Sequence, residues 1–168
     1  MKYLASLLML VALSSCGLRP LYGGGERGAI VQSLRAVELA PIDGKAGWLM
    51  RQALSDRLRR DTNIPARYRL EIELDDKISG FGVRIDDTVT RERRTLRARY
   101  QLIDTETAKP VLDASAGSDA GIDVVSSEYA TVAAENTALE RLSEILADQI
   151  IARISLFIDD RATAPLGQ

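Results

Sequence analysis

The 168-residue chain has a single cysteine and no histidine. Without imidazole there is no Ser-His-Asp or Cys-His machinery, no histidine metal ligand and no histidine pH switch. Acid–base chemistry would fall to neighbouring carboxylates: Asp75-Asp76, Asp86-Asp87 and Asp159-Asp160. Paired carboxylates can hydrolyse glycosides, but these lie at expected strand or helix ends, where aspartate is common in turns. No Gly-rich phosphate loop opens a helix, and Gly23-Gly24-Gly25 reads as a flexible linker. The residues therefore offer no catalytic set, no metal set and no cofactor site. The concentrated chemistry is cationic. Arg91, Arg93, Arg97 and Arg99 share one strand parity, with Arg94 and Arg84 near the strand's entry. Guanidinium forks suit phosphate and carboxylate, so these six form a candidate anionic-ligand surface.

Cys16 carries a different chemistry. Lys2 supplies a short positive n-region, and Leu4 to Leu13 is an apolar stretch of secretory length. That stretch is too short for a membrane span, which takes roughly 20 apolar residues. Small residues and then cysteine follow, Ser14-Ser15-Cys16, in the pattern of a bacterial lipoprotein signal. Cys16 is the expected lipidation site, and acyl chains at about 0.8 kcal/mol per buried methylene would hold the protein on a membrane. Gly17 in place of Asp points to the outer membrane, with the body of the protein on its periplasmic face. The expected organisation is a signal peptide over 1–15, a lipidated linker over 16–29, one domain over 30–158 and a flexible tail over 159–168. A mature chain of this size can bury about two thirds of its unfolded surface.

The charge is unevenly spread. Residues 16–99 carry 17 Lys/Arg and 12 Asp/Glu, whereas residues 100–168 carry 4 and 12. This predicts a polarised surface and gives no reason to expect a nucleic-acid partner.

Several elements must position these groups. A strand is expected near Leu34–Leu39, ending before Pro41, and Asp43-Gly44 signals a turn. Leu49, Ala53, Leu54 and Leu58 recur at helical spacing over Ala46–Arg60, with Trp48 expected in the core at the helix start and a partner contact as the alternative. Tyr68, Leu70, Ile72 and Leu74 alternate with charged residues, the pattern of a half-buried strand. Gly80 and Gly82 suggest a bulge or bend in its continuation. Val89–Ile103 is a second long strand, with Leu96, Ala98, Tyr100 and Leu102 on one face and the arginines on the other. Val111–Gly121 is a weaker third. An apolar stripe from Tyr129 through Leu142 and Ile150 to Phe157 predicts a long last helix. The order β-α-β-β-β-α gives an α+β two-layer sandwich, with two helices on one face of a four-stranded sheet. Glu71 and Glu73 would then lie opposite Arg97 and Arg99, so the arginine face is either a ligand surface or a set of cross-strand ion pairs.

Four segments resemble the LptE family of lipopolysaccharide-assembly lipoproteins in its α-proteobacterial form. They are Cys16-Gly-Leu-Arg-Pro-Leu-Tyr-Gly23, Leu49-Met-Arg-Gln-Ala-Leu-Ser-Asp-Arg-Leu58, Thr95-Leu-Arg-Ala-Arg-Tyr-Gln-Leu-Ile-Asp104, and Glu128-Tyr-Ala-Thr-Val-Ala-Ala-Glu135 leading into Leu146-Ala-Asp-Gln-Ile150. The resemblance implies two helices on a four-stranded sheet. It also implies a non-enzymatic role, plugging and supporting a large outer-membrane β-barrel, LptD, and binding lipopolysaccharide. The competing expectation is a stand-alone periplasmic module carrying an anionic lipid or glycan.

Overall fold

The computed structural model describes residues 28–83 and 89–163. Seven elements follow in order: α1 (Ala29–Arg35), β1 (Val37–Leu39), α2 (Gly44–Leu58), β2 (Tyr68–Val83), β3 (Val89–Asp104), β4 (Lys109–Asp123) and α3 (Glu128–Thr163). The four strands lie side by side in sequence order. β1 is parallel to β2, and the β2–β3 and β3–β4 pairs are antiparallel. The α+β, two-layer expectation holds, with a third, short helix added in front.

Burial follows the alternation in the strands. Leu70, Leu96, Ala98, Tyr100 and Leu102 turn to the helical side and are buried. α2 answers with Met50, Leu54 and Leu58, spaced one turn apart on one face. α3 contributes Leu139, Leu142, Leu146, Ile150 and Ile154, again at three- and four-residue intervals. At about 1.5 Å per residue, its 36 residues span on the order of 54 Å. The 16-residue β2 and β3 span nearly the same at about 3.3 Å per residue, so one helix can run along the whole sheet. α2 is tied to α3 by polar contacts at its rim. Arg57 Nε donates to Asp148 Oδ1 at 2.6 Å, and Lys45 Nζ donates to Asn136 Oδ1 at 2.6 Å. The hydrogen bond from Arg57 holds the Asp148 carboxyl below its ordinary pKa.

Several sequence expectations need correction. Ile30 to Leu34 is helical, and the strand is confined to Val37–Leu39. A short apolar run flanked by polar residues reads equally as strand or helix, and here Leu34 and Val37 reach the core from two different elements. β2 runs to Val83 in unbroken register with β3. The bulge lies instead in the β3–β4 pair, where the register shifts between Leu102 and Ile103. Trp48 is 64% exposed on α2, because Gly47 and Met50 take the buried face of that turn. The apolar stripe of α3 outruns its cover. Tyr129 is 92% exposed and Val132 also stands in solvent, while the helix continues to Thr163 at its other end.

The β3–β4 turn is built by one side chain. Asp104 Oδ1 accepts from the backbone N–H of Glu106 at 3.0 Å, from that of Thr107 at 3.1 Å and from the Thr107 hydroxyl at 3.3 Å. The Thr107 N–H is the largest cause of its lowered pKa. Ala108 closes the turn at φ 53°, a left-handed conformation that costs an L-residue about 1–2 kcal/mol.

Two outcomes are expected. Leu146→Ala should lower the free energy of unfolding by roughly 2–5 kcal/mol, against within about 0.5 kcal/mol for the exposed Ile145→Ala, read by urea denaturation. Asp104→Asn should lower the melting temperature at neutral pH. The folded state depresses this carboxyl, so its contribution is present above the unfolded value of about 3.9 and lost as pH falls through the folded pKa. Melting curves of the two chains should therefore converge in acid.

Candidate functional site

The sheet face turned away from the helices carries the charge. On β3, Arg91, Arg93, Arg97 and Arg99 project from it, with Thr95 between them and Gln101 after them. β2 contributes Arg69, Glu71, Glu73, Asp75 and Lys77, and β4 contributes Asp113, Asp119 and Asp123. The register sets Glu73 opposite Arg99 as the alternation suggested, but Glu71 opposite Gln101 and Asp75 opposite Arg97.

Most of the arginines meet β4 carboxylates. Arg91 Nε lies 3.0 Å from Asp123 Oδ1, Arg93 Nε 3.7 Å from Asp119 Oδ2, and Arg99 Nη2 3.1 Å from Asp113 Oδ2. The Arg99 hydrogen bond is the first cause of Asp113's lowered pKa, and Gln101 Nε2, donating at 2.9 Å, is the second. Within β2, Arg69 pairs with Glu71 at 2.6 Å and Lys77 with Asp75 at 2.8 Å. Cations and carboxylates therefore alternate across the whole face. The polarised surface expected from the charge count does not form here, because the basic β3 is laid directly against the acidic β4.

Arg97 is the exception. Among the described residues it has no ion pair, and its guanidinium lies across Gly117 of β4. A Cβ added at Gly117 would come within 2.6 Å of Arg97 Nη1, so the glycine makes room for that position. Glu73, Asp75, Arg97, Arg99, Ser115 and Gly117 line a shallow depression around it. Arg93, besides its pair with Asp119, stacks over the Phe81 ring, with its guanidinium carbon 5.3 Å from the ring centroid.

Arg94 stands apart from the group. It has the opposite strand parity and points to the helical side, where it is buried. Its Nε and Nη2 donate to the two carboxylate oxygens of Asp76 at 2.8 and 2.6 Å, and Nη1 donates to the Glu135 carbonyl at 2.9 Å. It clamps the β2–β3 hairpin to α3, and the Asp76 hydrogen bond is the largest cause of its raised pKa. Its place was legible in the alternation, since the even positions of β3 are apolar from Leu96 to Leu102. The Asp76 partner and the Glu135 carbonyl were not. Arg84 and Cys16 lie outside the described residues. No group of His, Cys, Asp and Glu side chains among the described residues is arranged to hold a metal ion. No helix among them is long and apolar enough to cross a membrane.

A family model described as lipopolysaccharide-assembly, LptE, matches residues 34–154, the stretch from the end of α1 through most of α3. The chain belongs to the LptE family. It is thereby a lipopolysaccharide-assembly lipoprotein by family. No curated protein sequence matches it. Among solved structures, a Caulobacter crescentus CB15 protein assigned as a lipoprotein superposes with a TM-score of 0.67 at 22% identity, over 80% of this chain and 98% of that one. The rare lipoprotein B of Shewanella oneidensis gives 0.59 at 9% identity, over 75% and 96%. Lipoprotein B of Nitrosomonas europaea gives 0.57 at 14%, over 73% and 83%. At these identities the superpositions establish that the LptE-family chain shares its fold with these proteins.

The two kinds of arginine should behave differently on substitution. Arg94→Ala leaves Asp76 and a helix carbonyl without their donor and should cost about 1–3 kcal/mol. Arg91→Ala removes an exposed pair and should cost under about 1 kcal/mol. Urea unfolding of the two variants, with Asp76→Asn completing a double-mutant cycle, checks the contrast.

Proposed function

We propose that the chain acts without catalysis, as the plug and assembly partner of a large outer-membrane β-barrel of the LptD kind, and that it binds lipopolysaccharide. The observation that carries this reading is the family match, which spans nearly the whole folded domain. The anchor would be acyl chains on Cys16, holding the domain at the periplasmic face of the outer membrane, largely within the barrel.

The geometry supports the reading in two ways. The depressions on the sheet face are open and shallow and are lined by charged side chains, a form suited to docking and poorly suited to enclosing a substrate. A face on which cations and carboxylates alternate can meet the polar inner wall of a barrel without concentrating one sign of charge. For lipopolysaccharide, the candidate contacts are Arg91, Arg93, Arg97 and Arg99, with Arg84, outside the described residues, as a further candidate. Arg97 is the natural first contact for a phosphate, because its guanidinium does not have to leave a carboxylate. Arg91, Arg93 and Arg99 would exchange Asp123, Asp119 and Asp113 for the ligand. Arg94 would serve by holding the hairpin to α3.

Mild-detergent extraction of the tagged, lipidated chain, followed by identification of co-purifying proteins by mass, tests the assembly. The expected result is one large outer-membrane β-barrel in near-equimolar amount. Recovery of the chain alone would refute the plug reading and favour a stand-alone module for an anionic lipid or glycan.

A further inference from the structure

β2 is covered on its outer side by β1 for only three residues, Tyr68, Arg69 and Leu70. The pairing ends with Ala40 N–H donating to the Leu70 carbonyl at 3.0 Å. The next residue is Pro41, which has no N–H to continue a ladder. β2 itself goes on to Val83, paired with β3 on the other side. Backbone groups alternate sides along a strand. Since Leu70 faces β1, the N–H and C=O groups of Ile72, Leu74, Asp76 and Ile78 face the same way. No strand among the described residues lies there. Ile72 to Ile78 is an open edge about 23 Å long at roughly 3.3 Å per residue.

The opposite edge of the sheet is treated differently. β4 begins Lys109-Pro110, and the outward N–H of Gly117 is taken by Gln149 Oε1 of α3 at 3.3 Å. Its outward aspartates are engaged by β3 arginines. Proline, a capping side chain and charge are ordinary ways of closing an edge. The β2 edge is charged too, with Glu71 paired to Arg69 and Asp75 to Lys77, but among the described residues it has no proline and no side chain taking an outward N–H from Ile72 to Ile78. On the helical side it carries Ile72 and Leu74, half-buried against the core, then Asp76, held by Arg94, and Ile78, 43% exposed; on the other side it carries Glu71, Glu73, Asp75 and Lys77. Glu73 forms no ion pair among the described residues.

We propose that the Ile72–Ile78 edge takes up an extended segment of a partner protein as a fifth strand. That segment carries Lys or Arg at alternate positions, facing the Glu71-Glu73-Asp75 row, and between them apolar residues continuing Ile72 and Leu74, with a polar residue where it meets Asp76. In one self-paired register the carboxylates also disfavour a second copy of this chain. Antiparallel self-pairing about Glu73 sets Glu73 against Glu73 and Glu71 against Asp75, like charges directly opposite. Main-chain bonds would supply the attachment, and the alternating side chains would supply the choice of partner. The proposal goes beyond the plug reading by naming a surface and the chemistry of its occupant.

Residue-resolved amide hydrogen exchange on the full lipidated chain, alone and in the detergent-extracted assembly, tests it. In the chain alone, the amides of Ile72, Leu74, Asp76 and Ile78 should exchange fast, while those of Glu71, Glu73, Asp75 and Lys77, bonded to β3, are slow. In the assembly the four outward amides should slow by on the order of 100-fold, since a bonded amide exchanges only when the strand opens. Ile78→Pro removes an outward N–H without touching the β3 ladder. It should abolish the slowing at Leu74 and Asp76 while the melting temperature is kept. If a barrel is recovered and the four amides stay fast, this proposal falls and the plug reading stands. If the chain is recovered alone, the plug reading falls, and the same measurement is made with a synthetic heptapeptide alternating Val and Arg at millimolar concentration. Slowing of the four amides then supports the edge as a strand acceptor, and unchanged exchange overturns it. Slow outward amides in the isolated chain overturn it at once.

Discussion

Everything in this domain depends on α3 covering a sheet that is apolar on one side only. β2, β3 and β4 form a long antiparallel ribbon, and Leu70, Leu96, Tyr100 and Leu102 would face water without a second layer. Sheets with one apolar face are stable only when that face is buried against another element. α3 has the length to lie along the ribbon and carries its apolar residues at the spacing that keeps them on one face. α2 and α1 complete the layer, but α2 makes its main contacts with α3 and touches β1 and β2 lightly. The long helix is the spine against which the other parts are placed. Arg94 shows the dependence at one point, since its three hydrogen bonds join a strand pair to a helix carbonyl.

Because one face is committed to the helices, the other is left to polar side chains, and its character is set by strand pairing. β3 brings four arginines to that face, and each neighbouring strand brings carboxylates. The ion pairs are exposed and individually weak, under about 1 kcal/mol each. Their effect is better judged as a pattern. Distributed opposite charges give the face no strong net field while leaving it able to satisfy many polar partners, which suits a broad contact more than capture of a single anion. Arg97, lying over Gly117, is where that pattern is incomplete.

The two edges of the sheet carry the same lesson about how little sequence is needed to change a surface. One proline, Pro41, follows β1 and leaves the far half of β2 without a described strand on its outer side. One glutamine, Gln149, reaches from α3 to a backbone N–H of β4. Such local features leave the fold intact and decide which parts of it can accept another chain.

The sequence by itself determined the strand and helix order from β2 onward, the α+β class and the face on which the arginines stand. These follow from periods of two and of three to four residues, which are local properties. It also carried the family resemblance, since the matched segments keep their order along the chain. Tertiary structure alone decided the rest. Whether Ile30–Leu34 would be strand or helix was not legible, because a run that short has no period of its own. The exposure of Trp48 depended on which face of α2 met α3. The separation of Arg94 from its neighbours followed the alternation, but its partners Asp76 and Glu135 come from other elements. The neutral charge lattice arose because β3 and β4 are antiparallel in one register, so that residues 91, 93 and 99 meet 123, 119 and 113. Composition shows a basic segment followed by an acidic one, and only the pairing of strands brings the two together on one surface.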